Sequence, residues 1–108
     1  MTPTDGTLRH SDKSLVYDAL SSSRRRDVVR LLDDAEAGLR LRDLAEAVAE
    51  RELEDGADDE QVKRVQASLY HVHIPKLADA GIVRYREGSD QVRLTQAVTF
   101  DAIDVLGE

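Results

Sequence analysis

Apolar residues recur every three or four positions over most of the chain, and this spacing predicts a series of amphipathic helices. Four such segments are predicted, at about residues 13–20, 24–36, 42–52 and 59–80. In the third, Leu41, Leu44, Ala45 and Val48 lie at i, i+3, i+4 and i+7. That spacing places one apolar stripe against a core and leaves the opposite side of the helix polar.

The longest segment, at about 59–80, has both a start and a stop signal. Asp58 or Asp59 can cap its first turn, and Gly81 suits a helix end. Its apolar positions are expected to point inward: Val62, Val65, Leu69, Tyr70, Ile74 and Leu77. Pro75 lies inside the pattern and cannot donate to the carbonyl of His71, so a kink or a break is expected there.

The pattern changes from helical spacing to alternation after Gly81, which predicts a β-hairpin. Its strands are expected at 82–86 and 92–95, around the polar loop 87–91. The alternating run Leu39-Arg40-Leu41 could add a third strand. The predicted fold class is therefore mainly α with a small β-sheet (α+β). More specifically, we expect a winged helix-turn-helix with flanking N- and C-terminal helices, a recognition helix at about 59–80 and a wing at 82–95.

A length of 108 residues suits one domain. Residues 1–12 are polar and predict a disordered tail, so the winged-helix domain is expected to span 13–108. A last helix is expected at about 96–106. A small winged helix does not need its apolar residues, which therefore predict a homodimer interface shared with Leu15 and Val16 of the first helix. These residues are Val98, Ile103 and Leu106.

The segment 52–58 is acidic and longer than the usual three- to four-residue turn between the helices of this motif. We interpret it as an inserted, solvated loop. Its alternative role as a metal loop is poorly supported, because Asp55, Asp58 and Asp59 do not have EF-hand spacing.

Composition adds a charge argument. The net charge of −7 opposes binding to nucleic acid. However, twelve of the fifteen basic residues are Arg and fourteen of the twenty-two acidic residues are Asp. An Asp-rich, Lys-poor surface resembles that of proteins from salt-in halophiles, where the acids reflect habitat rather than function. The alternative is an acidic domain that binds a protein.

Several classes of site and location are disfavoured by composition. The chain has no cysteine, which excludes disulfides and thiolate metal sites. No apolar run approaches the ~20 residues of a membrane span, and the N-terminus lacks the apolar region of a signal peptide. A cytoplasmic protein without membrane contact is the expectation.

One side of the predicted recognition helix carries candidate base-reading residues. Arg64, Ser68 and His71 lie at i, i+4 and i+7 and form a polar ridge opposite the apolar stripe, with Lys63 on its flank. Such a ridge can enter the major groove of double-stranded DNA and reach base edges. An ordinary solvated helix face is the alternative.

Two groups of arginines are candidate phosphate contacts. Arg84, Arg86 and Arg93 alternate with apolar residues in the hairpin, so they are expected to share an outward face alongside the polar ridge. Arg24 and Arg25 lie in the first turn of the second helix, where the helix dipole disfavours cations. Pairing with nearby acids and a phosphate clamp are both compatible with their position.

The remaining chemistry is sparse. His71 and His73 are two residues apart on a helix and point in opposite directions, so they cannot chelate one metal ion. We expect His73 to be partly buried and His71 to lie at the surface. No nucleophile–base motif or phosphate loop is present, so we expect neither an enzyme nor a bound cofactor or metal.

Three stretches carry a family resemblance: LSSSRRRDVVRLLDD (20–34), LRDLAEAVA (41–49) and LYHVHIPKLADAGIVRY (69–85). Together they resemble ArsR-like winged helix-turn-helix proteins of the haloarchaeal type, over roughly residues 14–95. The resemblance implies a dimeric DNA-binding transcriptional regulator. Metal sensing is not implied, because the metal-sensing members use cysteine ligands. The alternative function is a winged-helix module that binds protein rather than DNA.

Overall fold

The structure is a computed structural model that describes residues 14–95. Residues 14–19 form helix α1. The elements that follow are α2 (Ser23–Ala35), β1 (Leu39–Arg40), α3 (Leu41–Glu52), α4 (Asp59–Ser68), a π-helical turn (Leu69–His73), α5 (Ile74–Asp79), β2 (Val83–Arg86) and β3 (Gln91–Leu94). This arrangement confirms the α+β class. The predicted tail at 1–12 and the predicted helix at 96–106 lie outside the described residues.

The core is aliphatic, and the chain has only three Tyr, one Phe and no Trp. Its largest fully buried side chains come from α2, α3, the π-helical turn, α5, β3 and the residues that follow α1 and precede β2: Leu20, Leu32, Leu44, Leu69, Leu77, Ile82, Val28, Val29, Val48 and Val92. Helix α3 packs chiefly against α4, and residues 53–58 connect the two. The connection is therefore longer than a tight helix-turn-helix turn, in agreement with the sequence.

The second helix begins within one residue of its predicted start. Ser22 is its N-cap, and the Ser22 hydroxyl accepts a hydrogen bond of 3.3 Å from the Arg25 amide. The helix ends at Ala35, also within one residue of its predicted end, and its C-cap Glu36 has a positive φ of 61°. Gly38, which follows the helix, lies close to β3, where a Cβ would be 2.7 Å from the Val92 carbonyl oxygen.

The three strands form one antiparallel sheet in the order β1-β3-β2, which confirms that the brief strand at 39–40 joins the hairpin. Paired residues share a face of an antiparallel sheet. The inner face therefore carries Leu39, Val83, Tyr85, Val92 and Leu94. The outer face carries Arg40, Arg84, Arg86, Gln91 and Arg93.

The sequence predicted a kink or break at Pro75, but the irregularity in the long helix lies about one turn earlier. The Ile74 amide donates to the Leu69 carbonyl, five residues back, and Pro75 lies in the first turn of α5. In a regular α-helix the ring of Pro75 would clash with the carbonyl four residues earlier. The wider π-helical turn before Pro75 relieves that clash, which explains why the irregularity precedes the proline. The 100° spacing used for prediction fails across this turn. As a result, Tyr70, predicted to point inward, is 41% exposed.

Candidate nucleic-acid interface

Helix α4 begins with a capping box built by Asp58 and Gln61. The Asp58 carboxylate accepts from the Gln61 amide at 2.8 Å, and the Gln61 side chain accepts from the Asp58 amide at 2.9 Å. Val62 and Val65 are buried against the core. These contacts fix both the start and the rotation of α4, so the residues on its outer side are set by the sequence.

The outer side of α4 presents Lys63, Arg64 and Ala67, all exposed. Lys63 forms an ion pair with Asp59 at 3.3 Å, one helical turn earlier. Asp59 also accepts from Arg42 at 2.7 Å, and these two cations hold the pKa of the Asp59 carboxyl below its usual value, with the Arg42 hydrogen bond the larger cause. Within residues 14–95, Arg64 has no carboxylate partner.

The predicted polar ridge is interrupted at Ser68. Ser68 is half-buried, and its hydroxyl oxygen accepts a 3.1 Å hydrogen bond from Arg24. Arg24 also makes a two-pronged ion pair with Glu52, at 2.7 and 2.5 Å, which raises the pKa of its guanidinium. Arg24 and Ser68 therefore link α2, α3 and α4 to one another, and neither is a free donor in this structure.

Arg25 lies inside the protein rather than at the surface. It is 8% exposed, its Nε donates to the Ala19 carbonyl at 2.6 Å, and its Nη1 lies 3.0 Å from Nδ1 of His73. The neighbouring Arg26 donates to the Leu20 carbonyl at 2.8 Å. A phosphate clamp at the start of α2 is therefore incompatible with the position of Arg25. Both arginines instead satisfy carbonyl groups where α1 ends.

The π-helical turn gathers aromatic rings at the junction of helix and hairpin. The Tyr70 ring makes edge-on contacts with His71 at 4.9 Å and with Tyr85 at 6.0 Å between centroids. The Tyr85 hydroxyl donates to Asp90 at 2.6 Å, and this bond is the main cause that raises the pKa of Tyr85 to about 12. An open groove of about 410 Å³ runs between α4 and the inner face of the hairpin.

The outer face of the sheet forms a cationic surface, which we call the arginine face. It consists of Arg40, Arg84, Arg86 and Arg93, all exposed. Arg84 pairs directly with Arg93, while Arg40 and Arg86 flank Gln91 in the neighbouring row. The three hairpin arginines do share a face, as predicted. However, these arginines do not lie alongside the outer side of α4, because the inner face of the hairpin, which carries Tyr85, lies between the arginines and that helix.

Arg40 is the member of this surface that sequence reasoning missed. Its position depends on the pairing of β1 with β3, which brings together residues about 50 positions apart in the chain (Arg40 with Gln91). The alternation in Leu39-Arg40-Leu41 was the only available signal. This alternation predicts a strand, but it does not predict which strand β1 pairs with or which face of the sheet Arg40 occupies.

Residues 14–95 contain neither a metal-ligand cluster nor a membrane-spanning helix. No group of three His, Cys, Asp or Glu side chains there could hold a metal ion. No helix in this part of the chain is long and apolar enough to cross a bilayer. His71 is exposed and His73 half-buried, in agreement with the sequence.

Comparison with known proteins places the chain in one family. The family profile of DUF7344, a domain of unknown function, matches residues 17–93, and the chain belongs to this family. The match covers the structure from α1 to β3. The searches found no match among curated proteins and none among solved structures.

Proposed function

We propose that this protein is a winged helix-turn-helix DNA-binding regulator that places the outer side of α4 in the major groove. The observation that carries the proposal is Arg64. It is an exposed arginine at the centre of a helix whose opposite side is fixed on the core, and no carboxylate in residues 14–95 neutralises it. An α-helix fits the width of the major groove, and an arginine there can donate to both acceptors of guanine.

The order of elements supports the same proposal. Two packed helices, α3 and α4, are followed by an antiparallel hairpin whose third strand precedes α3. That order is the one expected of a winged helix. The six-residue connection 53–58 and the π-helical turn are departures from the compact motif. These two features flank α4 and affect how far the helix projects from the rest of the protein, but they do not cover its outer side.

The residues that would meet DNA differ from the predicted polar ridge. Ala67 lies between Arg64 and His71 on the exposed side, and its methyl group suits contact with a thymine methyl. Lys63 shares its charge with Asp59, which suits a phosphate contact at the edge of the groove. Ser68 is held by Arg24 and is not needed for base reading.

Substitution Arg64→Ala tests the proposal. On a selected duplex we expect a loss of ~1–3 kcal/mol and relaxed preference at one base position, because the guanine contact is lost. Arg51→Ala is the matched control, since Arg51 is exposed but lies 3.7 Å from Asp27 on another side of the protein. Selection from a random duplex library followed by titration is the measurement. Unchanged affinity and preference in Arg64→Ala would refute this use of α4.

The second candidate function is a module that binds protein. It is favoured by Glu87 and Asp90, which place carboxylates at the tip of the hairpin beside Tyr70 and Tyr85. Such carboxylates repel a phosphate backbone but suit a basic peptide. If no duplex binds across a potassium chloride series, this reading replaces DNA binding.

A further inference from the structure

The arginine face carries an unbalanced charge. Arg84 and Arg93 are directly opposed on neighbouring strands, an arrangement that destabilises a sheet through like-charge repulsion. The chain has twenty-two acidic residues, yet within residues 14–95 every ion pair involves other cations. These other cations are Arg24, Arg42, Arg51, Lys63 and Lys76. The described residues, 14–95, thus place four arginines together without an ion-paired carboxylate.

The arginine face is also turned away from α4. The inner face of the same hairpin carries Tyr85, whose ring contacts Tyr70, and the groove between α4 and the hairpin is lined by Tyr85 and Asp90. A duplex lying on α4 would therefore meet the inner side and the acidic tip of the hairpin. The arginines on the outer side would remain available to something else.

We propose that the arginine face is a second binding site for a nucleic-acid backbone, which holds a duplex segment other than the one lying on α4. This inference rests on the proposed function only in taking α4 as the first site. Residues two apart on a strand are separated by roughly 6.6 Å, and opposed residues by roughly 5 Å. Four guanidinium groups at this spacing suit closely spaced anions such as the phosphates of a duplex.

The chemistry of the four side chains specifies the class of ligand further. Guanidinium groups bind phosphate through two parallel hydrogen bonds, while lysine acts as a point charge, and this surface has arginine only. Between Arg40 and Arg86, Gln91 adds an uncharged donor. Contacts to phosphate carry no sequence information, so binding at this face is independent of sequence.

The experiment uses the full chain with Arg84→Gln and Arg93→Gln combined. Two short duplexes with different dyes report bridging of separate molecules, and one long duplex labelled at both ends reports bending around a single protein. We expect the wild type to give a signal in one of these two assays. The double variant should lose it about tenfold or more, because each charged contact contributes about that factor. Arg30→Gln combined with Arg51→Gln removes the same charge elsewhere and should leave the signal unchanged.

Random-duplex binding across a potassium chloride series gives the second readout. The double variant should have a salt dependence shallower by about two units of log–log slope, one for each lost phosphate contact. A dimer has two α4 helices and can bridge on that account. Bridging by the wild type alone therefore does not demonstrate the second site. The supporting result is the loss of bridging in the double variant.

The outcomes separate this inference from the proposed function. If Arg64→Ala loses sequence preference while the double variant keeps wild-type bridging, bending and slope, the arginine face is not a site. If the double variant loses all binding while Arg64→Ala loses none, the arginine face stands as a backbone site, and both the use of α4 and the simultaneous holding of two segments fail. If the wild type binds no duplex, both fail. Binding of poly-glutamate that the double variant loses would then assign the face to an acidic protein.

Discussion

At the scale of single residues, the contact between Arg25 and His73 fixes a protonation state. Arginine has no acceptor, so Arg25 Nη1 donates and His73 Nδ1 accepts across 3.0 Å. His73 must then be neutral, with its proton on Nε2. Burial is the largest cause that lowers the pKa of His73, and the charges of Arg25 and Arg24 lower it further. Protonation would place a third cation beside these two.

This contact predicts that the protein is less stable in mild acid. The folded pKa of His73 lies below its unfolded value of 6.5, so the unfolded chain takes up the proton first. The contribution of His73 is thus fully present above pH 6.5 and is lost as the pH falls toward the folded pKa. Urea unfolding at a series of pH values from 7.5 to 5.5 should show the free energy of unfolding decreasing.

A comparison of variants assigns that pH dependence to the contact. His73→Gln should flatten it, because the titrating group is removed. His71→Gln should retain it, because the imidazole that contacts Arg25 is that of His73, while His71 is exposed and makes an edge-on ring contact with Tyr70. An equal slope in wild type and His73→Gln would show that other groups dominate.

Individual residues also show where prediction from sequence stops. The exposure of Arg64 followed from periodicity, because Val62 and Val65 fix the rotation of α4. The burial of Arg25 did not, since its partner His73 lies 48 positions away in the chain. Local sequence permitted a phosphate clamp or pairing with nearby acids, whereas tertiary packing places Arg25 against the Ala19 carbonyl and His73.

At the scale of elements, local signals predicted most boundaries and one long-range contact escaped them. Ser22 and Asp58 are capping residues whose chemistry acts within three positions, so the starts of α2 and α4 were predictable. The π-helical turn was not, because Pro75 can be accommodated by a kink, a break or a wider turn. The role of Gly38 depends on β3, which lies more than 50 residues later.

Gly38 and Gly56 offer a matched test of that close approach. Both have positive φ, +96° and +88°, so alanine strains the backbone at each. At Gly38 the new Cβ would also meet the Val92 carbonyl oxygen at 2.7 Å, whereas nothing lies within 4 Å at Gly56. We expect Gly56→Ala to cost ~1–2 kcal/mol and Gly38→Ala about 3 kcal/mol or more. Thermal and urea unfolding measure the loss of stability in both variants. Equal losses would show that Gly38 does not lie in close contact with β3.

At the scale of the whole molecule, the net charge of −7 is unevenly distributed. The carboxylates around α3 and α4 are partly neutralised by Arg24, Arg42 and Lys63, while the arginine face has no such partners within residues 14–95. The two proposed nucleic-acid contacts are thus local exceptions on an acidic protein. Net charge alone predicted an acidic surface on average, but it could not locate these cationic contacts. The larger of them, the arginine face, is created by strand pairing.

Helix α1 exposes apolar side chains that could serve assembly. Leu15 and Tyr17 on α1 are 42% and 48% exposed, whereas Val16, which was also expected at the interface, is partly buried and packs against the core. Burying two such side chains at a two-fold interface would be favourable by roughly 25 cal/mol for each Å² of apolar surface. We propose a homodimer that buries α1 together with apolar residues after Thr95, which lie outside the described part of the chain.

Light scattering of the full chain in concentrated potassium chloride tests this proposal. We expect the wild type to have the mass of a dimer at micromolar concentration and Leu15→Glu to have that of a folded monomer, because the substitution would bury an unpaired charge at the interface. Ser89→Glu adds the same charge at the exposed hairpin tip and should remain dimeric. Circular dichroism distinguishes dissociation from unfolding. A monomeric wild type would remove the two-fold symmetry, and the DNA site would then have to be sought as a single half-site rather than a palindrome.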